Sequence, residues 1–60
     1  MTNKLLKPKE VADLLGFEIK TIYNWVSERR IPHSKIGGKL RFDEVVIRDW
    51  MEKFIVPVEK

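Results

Sequence analysis

Sixty residues form at most one domain, and because so small a chain buries only about 60% of its surface on folding, an enzyme pocket beside the scaffold is not expected. The chain has no cysteine, which argues against disulfides. It has a single histidine, His33, which argues against a metal centre. It also lacks any run of about 18 apolar residues, which argues against a membrane span. We therefore expect a soluble cytoplasmic protein without enzymatic activity, cofactor or small-molecule ligand. The net charge of +3 is uneven, because residues 18–41 contain six basic and two acidic residues; a solvated face and a polyanion-binding surface explain this equally well.

The first predicted helix covers about residues 8–15. Pro8 is tolerated at the first helical position because its missing N–H would be unpaired there anyway. Gly16 suits the left-handed position just past the helix end. Before this helix, Leu5 and Leu6 belong to a short lead-in that can cover one end of the core. The inward stripe consists of Val11, Ala12 and Leu15, with Leu14 at its margin.

The second predicted helix covers about residues 19–30. It has an apolar stripe at Ile22, Trp25 and Val26. The remaining positions offer hydrogen-bonding side chains, namely Lys20, Thr21, Tyr23, Asn24 and Ser27. A helix held down on one side with such a polar face suits the DNA major groove, which admits one α-helix and displays donors and acceptors. At its end, Arg29 and Arg30 complement the helix dipole or clamp phosphates, two roles of equal weight.

A hairpin is predicted for about residues 33–42, centred on Gly37-Gly38. A two-residue turn would pair Ile36 with Lys39 and send Ile36 to the face opposite Leu40. A three-residue loop, residues 37–39, pairs Ile36 with Leu40, so that the apolar residues face inward. We expect the three-residue loop, although Lys39 is not a natural residue for its αL position. The basic residues that would then face outward are Lys35 and Arg41.

The third predicted helix covers about residues 44–54, with Asp43 as its N-cap. Its apolar residues recur at i, i+3, i+4 and i+7, and they are Ile47, Trp50, Met51 and Phe54. Pro57 prevents continuation of the helix. The apolar residues 55–58 either fold back on the core or mark where a longer protein was cut.

Five short motifs occur in order: residues 7–16, Lys20–Tyr23, Arg30–Pro32, Lys35–Phe42 and Trp50. Together they resemble the excisionase-family DNA-binding domain, a small relative of the MerR-type winged helix-turn-helix, over roughly residues 5–52. The resemblance implies a mainly α fold with a small β-hairpin: three helices plus a two-stranded wing, with residues 1–60 as a single domain.

The resemblance also implies that the second helix is the recognition helix, in the major groove, and that the hairpin is a wing near the backbone or minor groove. When the DNA-facing positions of the family are transferred to this sequence, the implied contacts in the helix are Lys20, Thr21, Tyr23 and Asn24. Those in the wing are Lys35, Lys39 and Arg41. The polar helix face and its basic end add Ser27 and Arg30 as candidates. The spacing of Trp25 and Trp50 predicts that both lie in the core.

Three positions depart from the family pattern. Lys7 stands where the family usually has Thr or Ser, and losing such a hydroxyl N-cap costs about 1 kcal/mol. Arg29 stands where Gly is usual, and an Arg in αL would cost on the order of 1–2 kcal/mol. Glu18 stands where Ser is usual; repulsion of phosphate or simple turn chemistry is favoured there over reading a cytosine amino group.

These features predict a sequence-specific duplex DNA-binding protein, acting as a recombination directionality factor or as a small transcriptional regulator. Its expected partner is duplex DNA, with an integrase or further copies of itself on adjacent sites as additional partners. The alternative is a protein-interaction module in which the helix-turn-helix is a scaffold and the apolar C-terminal tail docks a partner. An RNA binder is disfavoured because no exposed aromatic platform for stacked bases is evident.

Overall fold

The computed structural model describes residues 4–58. Its elements follow in the order β1 (Leu5–Leu6), α1 (Pro8–Leu15), α2 (Ile19–Ser27), β2 (Ser34–Ile36), β3 (Lys39–Asp43) and α3 (Glu44–Glu52). The three strands form one antiparallel sheet in the order β1-β3-β2. The predicted fold class, mainly helical with a β wing, is confirmed.

The third strand of the sheet was not predicted. Leu6 pairs with Phe42 and Leu5 with Asp43, and the Glu44 N–H donates to the Lys4 carbonyl oxygen at 3.0 Å. A strand of two residues is too short to show an alternating pattern, so its sequence carries no strand signal. Hydrogen bonds of residues 4–6 therefore connect the segment before α1 to the junction between β3 and α3.

The core is apolar and draws on almost every element. The buried residues are Leu6, Val11, Ala12, Ile22, Ile31, Phe42 and Ile47. Both tryptophans are half-buried and pack against this cluster, in agreement with their predicted placement. Ile31, between α2 and β2, was missed because it lies outside any periodic segment. Within residues 4–58, no polar or charged residue is buried, so apolar packing alone fills the interior.

Helix α1 spans the expected residues and ends as its glycine predicts. Gly16 has φ 77°, and the N–H groups of Gly16 and Phe17 both donate to the Ala12 carbonyl oxygen, at 2.8 and 3.0 Å. At the other end, the Lys7 N–H donates to a Glu10 carboxylate oxygen at 2.8 Å. A lysine side chain cannot accept a hydrogen bond, so only this half of a capping box forms.

Helix α2 ends at Ser27, three residues earlier than expected. Arg29 has φ 58°, which turns the chain out of the helix. The Arg30 N–H donates to the Trp25 carbonyl oxygen at 2.8 Å, and the Arg29 N–H donates to that of Val26 at 3.0 Å. These two bonds form a Schellman motif, which normally has glycine at the left-handed position. Because no glycine stands at this position, the sequence did not predict the end of the helix here.

We expect Arg29→Gly to stabilise the protein by about 1–2 kcal/mol, because glycine adopts positive φ without the Cβ clash. Thermal unfolding followed by circular dichroism should show a rise of at least about 4 °C. Glu28→Gly is the matched control: Glu28 has φ −87°, so the same substitution should destabilise by about 0.5–1 kcal/mol. Equal effects of the two glycines would contradict strain at Arg29.

The predicted register of the hairpin is wrong. Ile36 pairs with Lys39, Lys35 with Leu40 and Ser34 with Arg41, across a two-residue turn. Gly37 and Gly38 have φ 59° and 80°, the positive values that a type I′ turn requires at both positions. Two glycines supply these values without strain, whereas the three-residue loop would have forced Lys39 into αL. Turn chemistry therefore overrides the inward placement of Ile36.

Helix α3 begins as predicted, because the Asp43 carboxylate accepts hydrogen bonds from the N–H groups of Val45 and Val46, at 2.9 and 3.2 Å. It ends at Glu52, two residues earlier than expected. Phe54 therefore lies beyond the helix and is 65% exposed. Residues 55–58 have no regular structure and are exposed, so this apolar tail does not fold back on the core.

Candidate nucleic-acid interface

One exposed polar stripe runs the length of α2. Lys20, Tyr23, Asn24 and Ser27 recur at i, i+3, i+4 and i+7, which places them on one face of a helix. All four are exposed. Ile22, on the opposite face, is fully buried. The helix is thus fixed to the core on one side and presents donors and acceptors to solvent on the other.

Thr21 belongs to the edge of this stripe. It is half-buried, and its backbone N–H donates to the Glu18 carbonyl oxygen at 3.0 Å in the first turn of α2. Its side chain lies between the stripe and the flank that carries Trp25, as the helical period places it. Of the polar residues predicted in this helix, Thr21 is therefore the least available to a ligand.

The observed register divides the basic wing residues between two faces of the sheet. Residues paired across strands share a face, and the face alternates along each strand. The inner face carries Leu6, Phe42, Leu40 and Lys35, and the outer face carries Leu5, Asp43, Arg41, Lys39, Ser34 and Ile36. Lys35 and Arg41 were predicted to face outward together. This is wrong, because the register shift moves Lys35 to the inner side, where it is nevertheless exposed.

The three predicted wing cations also differ in how free they are. Arg41 is half-buried, and its Nη1 donates to the Leu40 carbonyl oxygen at 2.7 Å. Lys35 and Lys39 are exposed, and within residues 4–58 neither of them, nor Lys20, takes part in an ion pair. Exposed, unpaired ammonium groups are the ones available to phosphate.

An apolar groove lies away from the polar stripe. It encloses about 650 Å³, and its residues are Leu15, Phe17, Trp25, Arg30, Trp50, Met51 and Phe54. Four rings follow one another along it: centroids are 5.0 Å apart for Phe17–Trp25, 6.1 Å for Trp25–Trp50 and 5.0 Å for Trp50–Phe54. The outer pairs meet edge to face, the preferred arrangement of aromatic side chains. Sequence spacing placed both tryptophans in the core but did not show this open row of rings.

The first two helices are joined by three residues that include Gly16, and they pack against each other. This is the connection typical of a helix-turn-helix. In a comparison with protein families, the family described as a helix-turn-helix domain matches residues 5–54. The chain belongs to this family. Comparison with curated proteins and with solved structures found no match.

The helix-turn-helix domain family binds DNA and includes excisionase-like members, and it is typically non-enzymatic. The protein is therefore a DNA-binding helix-turn-helix protein. In the part of the chain that the structure describes, none of the helices has the combined length and apolarity needed to cross a bilayer. In residues 4–58, no group of three or more acidic or histidine side chains could hold a metal ion.

Arg30 lies beyond the end of α2, beside the aromatic groove, and so belongs neither to the polar stripe nor to the wing. Its Nη1 lies 3.2 Å from a carboxylate oxygen of Glu28, and its side chain borders the aromatic groove. Both charged groups are exposed, so the pair is weak and a phosphate could compete for the guanidinium. A contact between Arg30 and DNA stays a prediction.

Glu18 is the N-cap of α2, but its side chain accepts no hydrogen bond from the helix. Its carboxylate is exposed and lies at the positive end of the helix dipole, where negative charge is favourable. Its backbone carbonyl oxygen accepts from Thr21 at 3.0 Å and from Ile22 at 3.4 Å. This geometry supports turn chemistry for Glu18, one of the two interpretations favoured from the sequence, whereas repulsion of phosphate stays a prediction.

Proposed function

We propose that this helix-turn-helix protein recognises a short duplex sequence through the polar stripe of α2, and that it catalyses nothing. In the cell it would act as a recombination directionality factor or as a small transcriptional regulator. The observation that carries the proposal is the stripe itself, because four adjacent hydrogen-bonding side chains are exposed on a helix anchored by the buried Ile22.

The dimensions of α2 fit the major groove. Its nine residues give a length of about 13 Å at 1.5 Å per residue, and the groove is about 12 Å wide. At about 3.4 Å per base pair, such a helix spans no more than about four base pairs. A longer target would require the wing or further copies on adjacent sites.

The chemistry of each side chain suggests its role. We assign Lys20 to a guanine edge, whose O6 and N7 accept hydrogen bonds, and Asn24 to adenine, which it can pair bidentately. Tyr23 and Ser27 each carry a hydroxyl that suits a phosphate oxygen. In the wing, Lys35, Lys39 and Arg41 would contact the backbone and add affinity without sequence preference.

Binding to a mixed-sequence duplex at several salt concentrations tests this function. If three wing cations each neutralise one phosphate, log K should fall against log salt with a slope of about −2.7, or about 40-fold between 50 and 200 mM. Fluorescence anisotropy of a labelled duplex measures this directly. Absence of binding at low salt, with the protein folded by circular dichroism, would contradict the proposal.

Both proposed biological roles require partners in addition to a single DNA site. A recombination directionality factor would act beside an integrase, and either role would gain from further copies on adjacent sites, because one small module buries only about 600–1,000 Å² on DNA. Mapping the site selected from a random duplex pool onto the genome that encodes the protein would separate the cases. Repeated sites beside a recombination site support the first role, and sites at promoters support the second.

A second candidate function is a protein-interaction module, and the exposed apolar tail favours it. Val56 and Val58 are 85% and 87% exposed, and they follow directly on Phe54 at the aromatic groove. In this function the tail contacts a partner protein and the helix-turn-helix is its scaffold. Truncation after Phe54 discriminates: it should leave duplex affinity unchanged if DNA is the ligand of α2, and abolish partner binding if the tail carries the function.

A further inference from the structure

The tip of the wing holds one large apolar side chain beside cations. Ile36 is 52% exposed. It pairs directly with Lys39, and the alternation along β3 places Arg41 on the same outer face. Scattered apolar residues are ordinary on protein surfaces, but this one lies at the tip of a basic hairpin. The two-residue turn, rather than the core, determines its position.

The shape of the tip brings Ile36 forward. Gly37 and Gly38 have no side chains, and apart from the adjacent residues of the chain nothing lies within 4 Å of where a Cβ would be at either position. Ile36 and Lys39 are therefore the first side chains behind the turn. Because Ile36 and Lys39 lie directly opposite each other on neighbouring strands, their Cβ atoms are about 4.5–5.5 Å apart. This separation is larger than the distance between two stacked base pairs, about 3.4 Å.

We propose that Ile36 is an apolar wedge that enters the minor groove and inserts between two stacked base pairs, while Lys39 contacts the adjacent phosphate. This inference rests on the DNA binding proposed above and adds a residue whose partner is a base step rather than a base edge. Apolar wedges of this kind unstack a step, and they kink the duplex toward the major groove.

The wedge predicts a dependence on DNA deformability. Pyrimidine–purine steps such as TA unstack easily, whereas A-tracts are stiff. Insertion should therefore be favourable at TA steps and unfavourable in an A-tract, although both duplexes have the same charge and the same base-pair composition. Binding by phosphate contacts of the basic residues alone would not depend on how easily a base step unstacks.

The experiment uses two duplexes of about 20 base pairs, one alternating TA and the other an A-tract, with identical G·C ends that carry a donor and an acceptor dye. Wild-type protein should bind the alternating duplex more tightly and shorten its end-to-end distance at saturation. Ile36→Ala should lower affinity for the alternating duplex about 3- to 10-fold, in line with loss of a half-exposed isoleucine contact, and abolish the shortening. Its affinity for the A-tract should stay nearly unchanged.

Two variants serve as controls, and circular dichroism checks that each is folded. Ile36→Leu keeps the apolar volume and should preserve both the preference and the bend. Lys39→Ala should weaken binding to both duplexes by a similar factor. If wild type and Ile36→Ala bind both duplexes and bend them equally, the wedge is wrong while DNA binding stands. If wild type binds neither duplex at low salt, the proposed function and the wedge fail together.

Discussion

Phe42→Ala should remove about a third or more of the protein's free energy of unfolding at 25 °C. Phe42 is fully buried, lies in the central strand of the sheet and pairs with Leu6 of β1. Truncation of such a side chain costs about 3–5 kcal/mol. A chain of this length has a total stability of only about 3–9 kcal/mol at 0.05–0.15 kcal/mol per residue.

Phe54→Ala is the matched control for this prediction. Phe54 is exposed beyond the end of α3 and contacts Trp50 with ring centroids 5.0 Å apart, so its loss should cost about 0.5–1.5 kcal/mol. Urea unfolding followed by circular dichroism compares the two variants. If Phe42→Ala retained a cooperative transition within about 1 kcal/mol of wild type, the placement of the core would be wrong.

The second large effect is expected at Lys20. If its ammonium group reads a guanine edge, Lys20→Ala should lower affinity for the selected site by about 5- to 150-fold, the equivalent of 1–3 kcal/mol. Affinity for unrelated duplexes should change little. Selection from a random pool should then show lost preference at one position, because the other contacts remain in place.

Lys39→Ala should behave differently, because a phosphate contact carries no sequence information. We expect weaker binding to all duplexes alike and a salt slope smaller by about 0.9. Lys53→Ala is the control, since Lys53 is an exposed lysine at the end of α3, outside both the stripe and the wing. Equal losses for Lys20→Ala and Lys53→Ala, on every duplex, would contradict base reading by α2.

The sequence predicted the elements that have long or strongly marked patterns. The apolar period of α1, the positive φ of Gly16 and the capping by Asp43 are all observed. Local chemistry determines these features, so a single segment is enough to predict them. The strand β1 could not be found, because a two-residue pairing depends on a partner nearly forty residues away.

Errors occurred where two local rules competed. At the hairpin, apolar alternation favoured one register and the glycine pair favoured another; the glycines determined the outcome because both turn residues have positive φ. At the end of α2, a strained Arg29 replaces the expected glycine, so the stop was placed too late. The first error affects the site, since the hairpin register determines which face Ile36 and Lys35 occupy.

The exposed polar face of α2 could be predicted from the sequence, but the arrangement of the wing and of the side chains around that face could not. The sequence placed Lys20, Tyr23, Asn24 and Ser27 on the exposed side of α2, because the helical period alone separates them from Ile22. It could not show that Thr21 is half-buried or that Arg41 donates to a neighbouring carbonyl oxygen. These depend on packing around the helix and on side-chain conformation, which a periodic pattern does not specify.

Backbone amide NMR of ¹⁵N-labelled protein, titrated with a selected duplex, tests most directly whether the α2 stripe and the wing form one DNA-binding surface. We predict the largest shift changes at Lys20, Tyr23, Asn24 and Ser27 and at the wing tip, with Trp50, Met51, Phe54 and residues 55–58 nearly unaffected. Changes confined to the groove and the C-terminal tail, with the α2 stripe unmoved, would contradict this account.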